Sequence, residues 1–250
     1  MSLIVRSLPA ALLLVAASPM FGPVATPVLA TRETPPGEYW VEASPEGEGE
    51  TEIHQAAAFS PTPEAAVTRL LEIAEKRGGR TEALARLGAG LLLLELARPA
   101  EALVQLEDEA IDERTRLGDH ALLARALAHD RLGAFVAAAD AYRDGAARTA
   151  SAPRRCAALL RGAEMSALLD RFDEAAAELS GVLDKCEGSE AKALFQLVSV
   201  YQSNGDRRAA AVAADRLARD FPASSEAARV ASQLKALAPH LPAMTPEQRD

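Results

Sequence analysis

The sequence predicts an all-α fold in which helical hairpins stack side by side into a superhelix, an α–α solenoid. Three observations predict it. Apolar residues make up 49% of the chain but aromatic residues only 4%, so the hydrophobic positions are mostly Ala and Leu, which favour helix and let helices approach closely. From Pro61 onward, apolar residues recur at helical spacing in stretches broken by "RGG", "LGD", "SAP", "EGS" and "NGD". A small residue returns at a near-constant interval, at Ala102, Ala138, Ala175 and Ala210, with spacings of 36, 37 and 35, which points to a repeat architecture. Alternating β-branched runs and hairpin dipeptides between apolar runs, the marks of strands, are missing. The competing reading is a helical bundle without repeats.

Residues 1–30 read as a signal peptide. "MSLIVR" opens with one positive charge at Arg6, "SLPAALLLVAA" supplies a short apolar run, and Val28 and Ala30 occupy the small positions before a cleavage site. The run is too short for a membrane span, and Pro9, Pro19, Pro23 and Pro27 interrupt it. No Cys lies near it to carry a lipid. The mature chain is therefore expected in the periplasm or outside the cell, with no integral membrane segment. Residues 31–60, including "TRETPPGEYWVEASPEGEGETE", are rich in Pro, Gly and Glu and read as an acidic linker, with Tyr39, Trp40 and Val41 as an apolar island.

Residues 61–238 form the repeat domain. Helices are predicted near 62–77, 82–97, 99–116, 119–132, 135–149, 154–169, 172–186, 189–203, 206–220 and 223–237. A two-helix hairpin needs a small residue where the helices cross and a bulkier one a turn later to fill the groove. The small positions are the four Ala anchors. Phe135 and Phe172 stand three residues before the second and third, where Pro99 and Arg207 stand in the others; Leu106, Tyr142 and Leu179 follow the first three by four residues, and Ala214 the last. A single hairpin cannot bury both faces, so successive hairpins stack. Residues 239–250 read as a linker and the start of a further helix: Thr245 caps, Pro246 takes the first helical position, and Gln248 completes a capping box.

A formal net charge of −9 argues against nucleic acid, whose phosphates call for a surplus of Lys and Arg, and against anionic lipid surfaces. No catalytic constellation is legible. His120 and His129 share a helix but nine residues separate them, which puts them on opposite faces, and no phosphate loop or metal-ligand motif occurs. No cofactor is expected. The run Glu107, Asp108, Glu109, Asp112, Glu113 reads as a solvated outer face. Function is left to the inner wall. There the first helix of each hairpin would present Leu84, Leu87, Leu91 and Leu94, then His120, Leu123, Leu127 and Asp130, then Leu160 and Glu164, and finally Lys192, Phe195, Ser199 and Gln202. The Leu cluster is expected to lie under the 62–77 helix.

The only cysteines, Cys156 and Cys186, flank a turn near Asp170–Arg171 at about equal distance along two antiparallel helices, so they end at one level. An exported chain meets an oxidising compartment. The expectation is a Cys156–Cys186 disulfide; the alternative is two thiols facing different neighbours, because sequence does not fix helix rotation this finely.

Spacing and residue types resemble the tetratricopeptide-repeat family, most closely in "GAFVAAADAY", where Gly133, Phe135, Ala138 and Tyr142 match its pattern; the last unit adds Leu197, Tyr201, Gly205 and Pro222. The spacing exceeds that family's usual length and Arg207 replaces its aromatic. "DFPASSEAARVASQLKAL" with "LPAMTPEQRD" resembles the junction in the amino-terminal helical arm of soluble lytic transglycosylases. That family's Glu-Ser dipeptide and Gly-Leu-Met-Gln motif are absent, so no catalytic residue carries over. The resemblance implies an exported, non-catalytic scaffold linked to peptidoglycan remodelling, with envelope proteins or peptidoglycan as partners. The alternative is a stand-alone adaptor resembling the repeat proteins of outer-membrane assembly or the Tol–Pal system.

Overall fold

The computed structural model describes residues 48–241. Among them are α1 (Glu48–Phe59), α2 (Pro63–Lys76), α3 (Gly79–Glu95), α4 (Pro99–Leu106), α5 (Glu109–Arg114), α6 (Gly118–Arg131) and α7 (Phe135–Arg148). There follow α8 (Ala152–Leu168), α9 (Phe172–Lys185), α10 (Glu190–Ser203), α11 (Arg207–Asp220), α12 (Ser225–Leu237) and a 3-10 turn at Ala238–His240. The chain is an all-α solenoid of tetratricopeptide-like helical hairpins, as its periodicity predicts. The signal peptide, the first part of the linker and the helix start at Thr245 lie outside the described residues.

Each hairpin pairs a first helix (α3, α6, α8, α10) with a second (α4, α7, α9, α11), and each first helix after α3 also packs on the second helix before it. The crossings depend on small residues. Ala102, Ala138, Ala175 and Ala210 are all fully buried, as are Tyr142 and Leu179 a turn later, while Phe135 and Phe172 pack half-buried at the start of their helices. In the first crossing Gly90 does the same from the other side. A Cβ there would stand 2.6 Å from Leu106 Cγ. Ala138→Leu puts a branched side chain into a filled crossing and is expected to lower stability by about 1–3 kcal/mol. Urea denaturation measures it, and a neutral result would place the crossing elsewhere.

The four hairpin turns are built alike. Ala97, Gly133, Asp170 and Gly205 all take left-handed backbone angles, with φ of 56°, 72°, 58° and 79°. Around each, the two amides that follow the helix reach back to its last carbonyls: Ala97 N to Leu94 O and Arg98 N to Leu93 O in the first turn, and the same pattern at Gly133–Ala134, Asp170–Arg171 and Gly205–Asp206. This is the Schellman closure. Gly is the easy residue for it; Ala97 and Asp170 adopt it at some conformational cost.

Two sequence expectations need correction. The linker was expected to run to Ser60, but α1 occupies its last part. Its sequence is mostly Glu, Gly and Ala, so the apolar stripe is thin, and tertiary contacts make the helix. Ile53 and Ala56 are buried against Leu70 and Leu84, Gly49 lets the helix close on Thr81, and Glu50 pairs with Arg80 at 3.1 Å. The helix predicted over 99–116 is broken at Glu107–Asp108. Asp108 caps the new start, accepting from Ala110 N at 2.8 Å, and pairs with Arg86 at 2.8 Å. Asp112 pairs with Arg148 at 3.3 Å. Part of the acidic run is therefore structural rather than a plain solvated face.

Candidate functional site

Along one side of the stack α3 meets α6, α8 meets α10 and α10 meets α12, and the Arg161–Asp130 pair bridges α8 to α6. Second helices cover their flanks, so one strip of each first helix stays open, and together these strips form the inner wall. On α6 the matching positions are His120 and Asp130, both half-buried, with Leu123 and Leu127 covered between them. On α8 the strip includes Leu160 and Arg161, and on α10 Lys192, Phe195, Ser199 and Gln202.

This differs from the expected wall at its first two helices. Leu84, Leu87, Leu94, Leu123 and Leu127 are buried in the core, and only Leu91 of its group is partly open. Leu84 lies under α2, as expected, and under α1 as well. Leu123 is drawn in because Gly145 of α7 leaves room for it: a Cβ at Gly145 would stand 2.3 Å from Leu123 Cδ2.

A ladder of polar side chains links the first helices. Arg161 of α8 donates to Asp130 of α6 and to Glu164 on its own helix. Gln196 Nε2 of α10 donates to Glu164 Oε1 at 2.5 Å, and Tyr142 OH reaches Asp130 at 3.5 Å. Further along, Gln202 Nε2 donates to Gln233 of α12 at 3.2 Å, and the Arg229 guanidinium lies 4.0 Å above the Phe195 ring. Glu164 is 7% exposed, and burial pushes its carboxyl above the ordinary range, with Arg161 opposing. Burial also works against the Arg161 charge, but Glu164 and Asp130 beside it prevail and hold the guanidinium above its usual value. Burial raises the Tyr142 phenol likewise, so it stays a neutral donor.

Not every polar atom of the first helices is satisfied. Arg125 Nε and Gln196 Oε1 are buried without a hydrogen-bond partner. His120, which the sequence placed on the wall, lies beside Asp119 at 4.0 Å, and burial and Arg154 push its imidazole below the usual value. It does not share a face with His129. Among the described residues no three His, Cys, Asp or Glu side chains gather so as to hold a metal ion, and none of their helices is long and apolar enough to cross a membrane.

Cys156, in the second turn of α8, and Cys186, just after α9, are bonded, with Cα atoms 5.6 Å apart. They close the open end of that hairpin beside the ladder. On the outer side, α9, α10 and α11 leave a shallow cleft of about 400 Å³ between Leu183, Tyr201, Val212 and Arg216.

No family model matches the chain, and no curated protein matches it. Among solved structures it is similar to the crystal structure of PilW, described as a widely conserved type IV pilus biogenesis factor. The TM-score is 0.56 at 18% identity, over 74% of this chain and 83% of that one. At such identity the likeness is one of fold.

Proposed function

We propose that this chain is an exported, non-catalytic helical-repeat scaffold that holds a protein segment along its inner wall during assembly in the cell envelope. The observation that carries the reading is the wall itself: an open strip across successive first helices, mixed in polarity, whose carboxylates are engaged in the ladder rather than offered as catalysts. The fold it shares with a pilus biogenesis factor supports envelope assembly as the setting. A link to peptidoglycan remodelling rests on the sequence resemblance carried by residues 220–250 and is the finer part of the proposal.

The test is site-specific photo-crosslinking in the source cell. A benzoyl-phenylalanine at Ser199, on the inner wall, is expected to give one defined envelope-protein adduct. The same probe at Val104, exposed on α4, is expected to give none. Equal labelling from both positions, or none from Ser199, rejects the scaffold reading. Cosedimentation with purified sacculi tests the peptidoglycan link separately. A chain that stays in the supernatant loses that link and keeps the rest.

A further inference from the structure

We infer that the outer cleft over α10 takes the segment Glu38–Glu42 of a second copy of this chain, with Trp40 seated in it. The inference stands apart from the inner wall and goes beyond the scaffold reading.

The cleft is open because one groove of the stack lacks a bridge that its neighbour has. Between α7 and α9, Arg143 reaches across to Glu174 at 3.1 Å and to Glu178 at 3.0 Å. Glu178 covers a floor of small residues on α8: Ser166 Oγ donates to it at 3.4 Å, and a Cβ at Gly162 would stand 3.5 Å from its Oε2. One repeat later, a step of 37 residues from Arg143 and of 35 from the two glutamates leads to Ser180, Ala209 and Ala213. All three line the cleft, and no ion pair can form among them. The floor changes in the same sense. The step of 35 takes Gly162 to Leu197 and Ser166 to Tyr201, so a polar, covered groove becomes an apolar, uncovered one.

The rim on the α11 side is basic. Arg208, Val212 and Arg216 follow at steps of four and share one face of that helix, along the cleft. Val212 is 45% exposed. Arg208 makes no ion pair among the described residues. Arg216 pairs with Asp220 at 3.4 Å on the surface, where such a pair contributes little. An apolar floor between two guanidinium groups calls for an apolar side chain between two carboxylates. The acidic linker holds such a stretch: Glu38, Tyr39, Trp40, Val41, Glu42. In an extended chain residues 38, 40 and 42 face one way, and the outer two lie about 13 Å apart. Eight helical residues separate Arg208 from Arg216, about 12 Å. Glu38, Trp40 and Glu42 therefore match Arg208, Val212 and Arg216 in chemistry, order and spacing.

The segment lies outside the described residues, but the place where its chain joins the stack is fixed. Trp40 is eight residues before Glu48, at most about 29 Å of extended chain. Glu48 opens α1, and the way from α1 to α10 crosses α3, α6 and α8, four steps of about 8–10 Å each. The segment's own cleft is out of reach, so it serves a neighbour. Segment and cleft are different surfaces, so the contact is heterologous and adds copies in a row or a ring.

Trp40 is the only Trp of the chain, so its fluorescence reads the contact directly. Sedimentation velocity and Trp emission are followed together on the full chain as concentration rises. Expected are species larger than one chain and, in step with them, a blue shift of the emission. Trp40→Ser is expected to abolish those species. The triple variant Ser180→Arg, Ala209→Glu, Ala213→Glu carries the bridge of the preceding groove into the cleft. It is expected to melt no lower than wild type and to associate roughly tenfold more weakly or less. Glu38→Arg with Glu42→Arg should weaken association likewise, and adding Arg208→Glu and Arg216→Glu should restore it. A chain that stays single at every concentration overturns the inference, as do larger species that persist in Trp40→Ser. A blue shift independent of concentration puts the segment on its own copy and overturns the second-copy assignment. A charge swap that restores nothing overturns the pairing with Arg208 and Arg216. If the triple variant melts well below wild type, Trp40→Ser and the charge swap decide alone. In the cell, a benzoyl-phenylalanine at Val212 is expected to join two copies of the chain; an adduct with another protein assigns the cleft to that partner and overturns the inference. Labelling from Ser199 is independent of every one of these outcomes, so the scaffold reading is judged separately.

Discussion

Arg161→Met is expected to lower the unfolding free energy by about 3 kcal/mol at neutral pH, close to the cost of breaking a buried ion pair by removing one partner. The lower end of that range applies because Arg161 keeps 22% of its side-chain surface exposed, against 11% for Asp130 and 8% for Glu164. Without Arg161 two carboxylates with little access to water face each other across α6 and α8. The effect carries a pH signature. Burial raises the folded-state value of Glu164, so between the ordinary carboxylate value and the raised one the folded chain holds a proton that the unfolded chain has released. Stability therefore falls as pH rises through that window. Arg161 opposes the rise, and its loss widens the window. The gap between variant and wild type should be largest at neutral pH and shrink in acid, where Glu164 holds its proton. Urea denaturation at pH 7 and pH 4 reads both numbers, and an equal gap at the two pH values would show that the ladder is not what the substitution breaks.

Loss of the disulfide should matter as much. The bond spans 30 residues, and closing a loop of that length removes about 3–4 kcal/mol of unfolded-state freedom in the chain-entropy picture. The Cα separation of 5.6 Å lies in the range a disulfide bridges without moving the backbone. A Cys156→Ser, Cys186→Ser double variant, or wild type in reductant, should unfold at lower urea concentration by the corresponding amount. Mass spectrometry of the chain purified without reductant should find the two cysteines joined. Two free thiols, or a reductant with no effect on the midpoint, would count decisively against the bond.

Most of the fold can be read from periodicity because each helix buries a stripe of Ala and Leu and ends at a recognisable break. What escapes is what depends on distant partners. Helix α1 has little apolar pattern of its own and is held by α2 and α3. The break at Asp108 is set by a cap and by Arg86, 22 residues earlier in the chain and beyond any local helix rule. Two of the four left-handed turns carry Ala97 and Asp170 where Gly would have announced them. On the wall, Asp130 and Glu164 were visible as charges at inward positions, but Arg161 was not, because its meaning lies in a partner 31 residues earlier. A signal was present all the same: in "CAALLRGAEMSALL" the only charged residues are Arg161 and Glu164, one turn apart in an otherwise apolar and small-residue stretch.

The four left-handed turns also say where this superhelix can grow. Every anchor follows its turn residue by five positions: Ala97 and Ala102, Gly133 and Ala138, Asp170 and Ala175, Gly205 and Ala210. Helices α7, α9 and α11 all have 14 residues. From the turn through the second helix, the last three units are one invariant module. The difference between the later repeats, 37 and 35 residues, is absorbed after it, in the joints around Thr149–Ser151 and Cys186–Ser189 and in the next first helix, which has 17 residues in α8 and 14 in α10; the first spacing of 36 runs through α5 instead. A whole unit cut at these joints can be duplicated or removed with its turn and crossing intact. The number of hairpins, and with it the length of segment the wall can hold, is then the property of this architecture that recombination changes most easily.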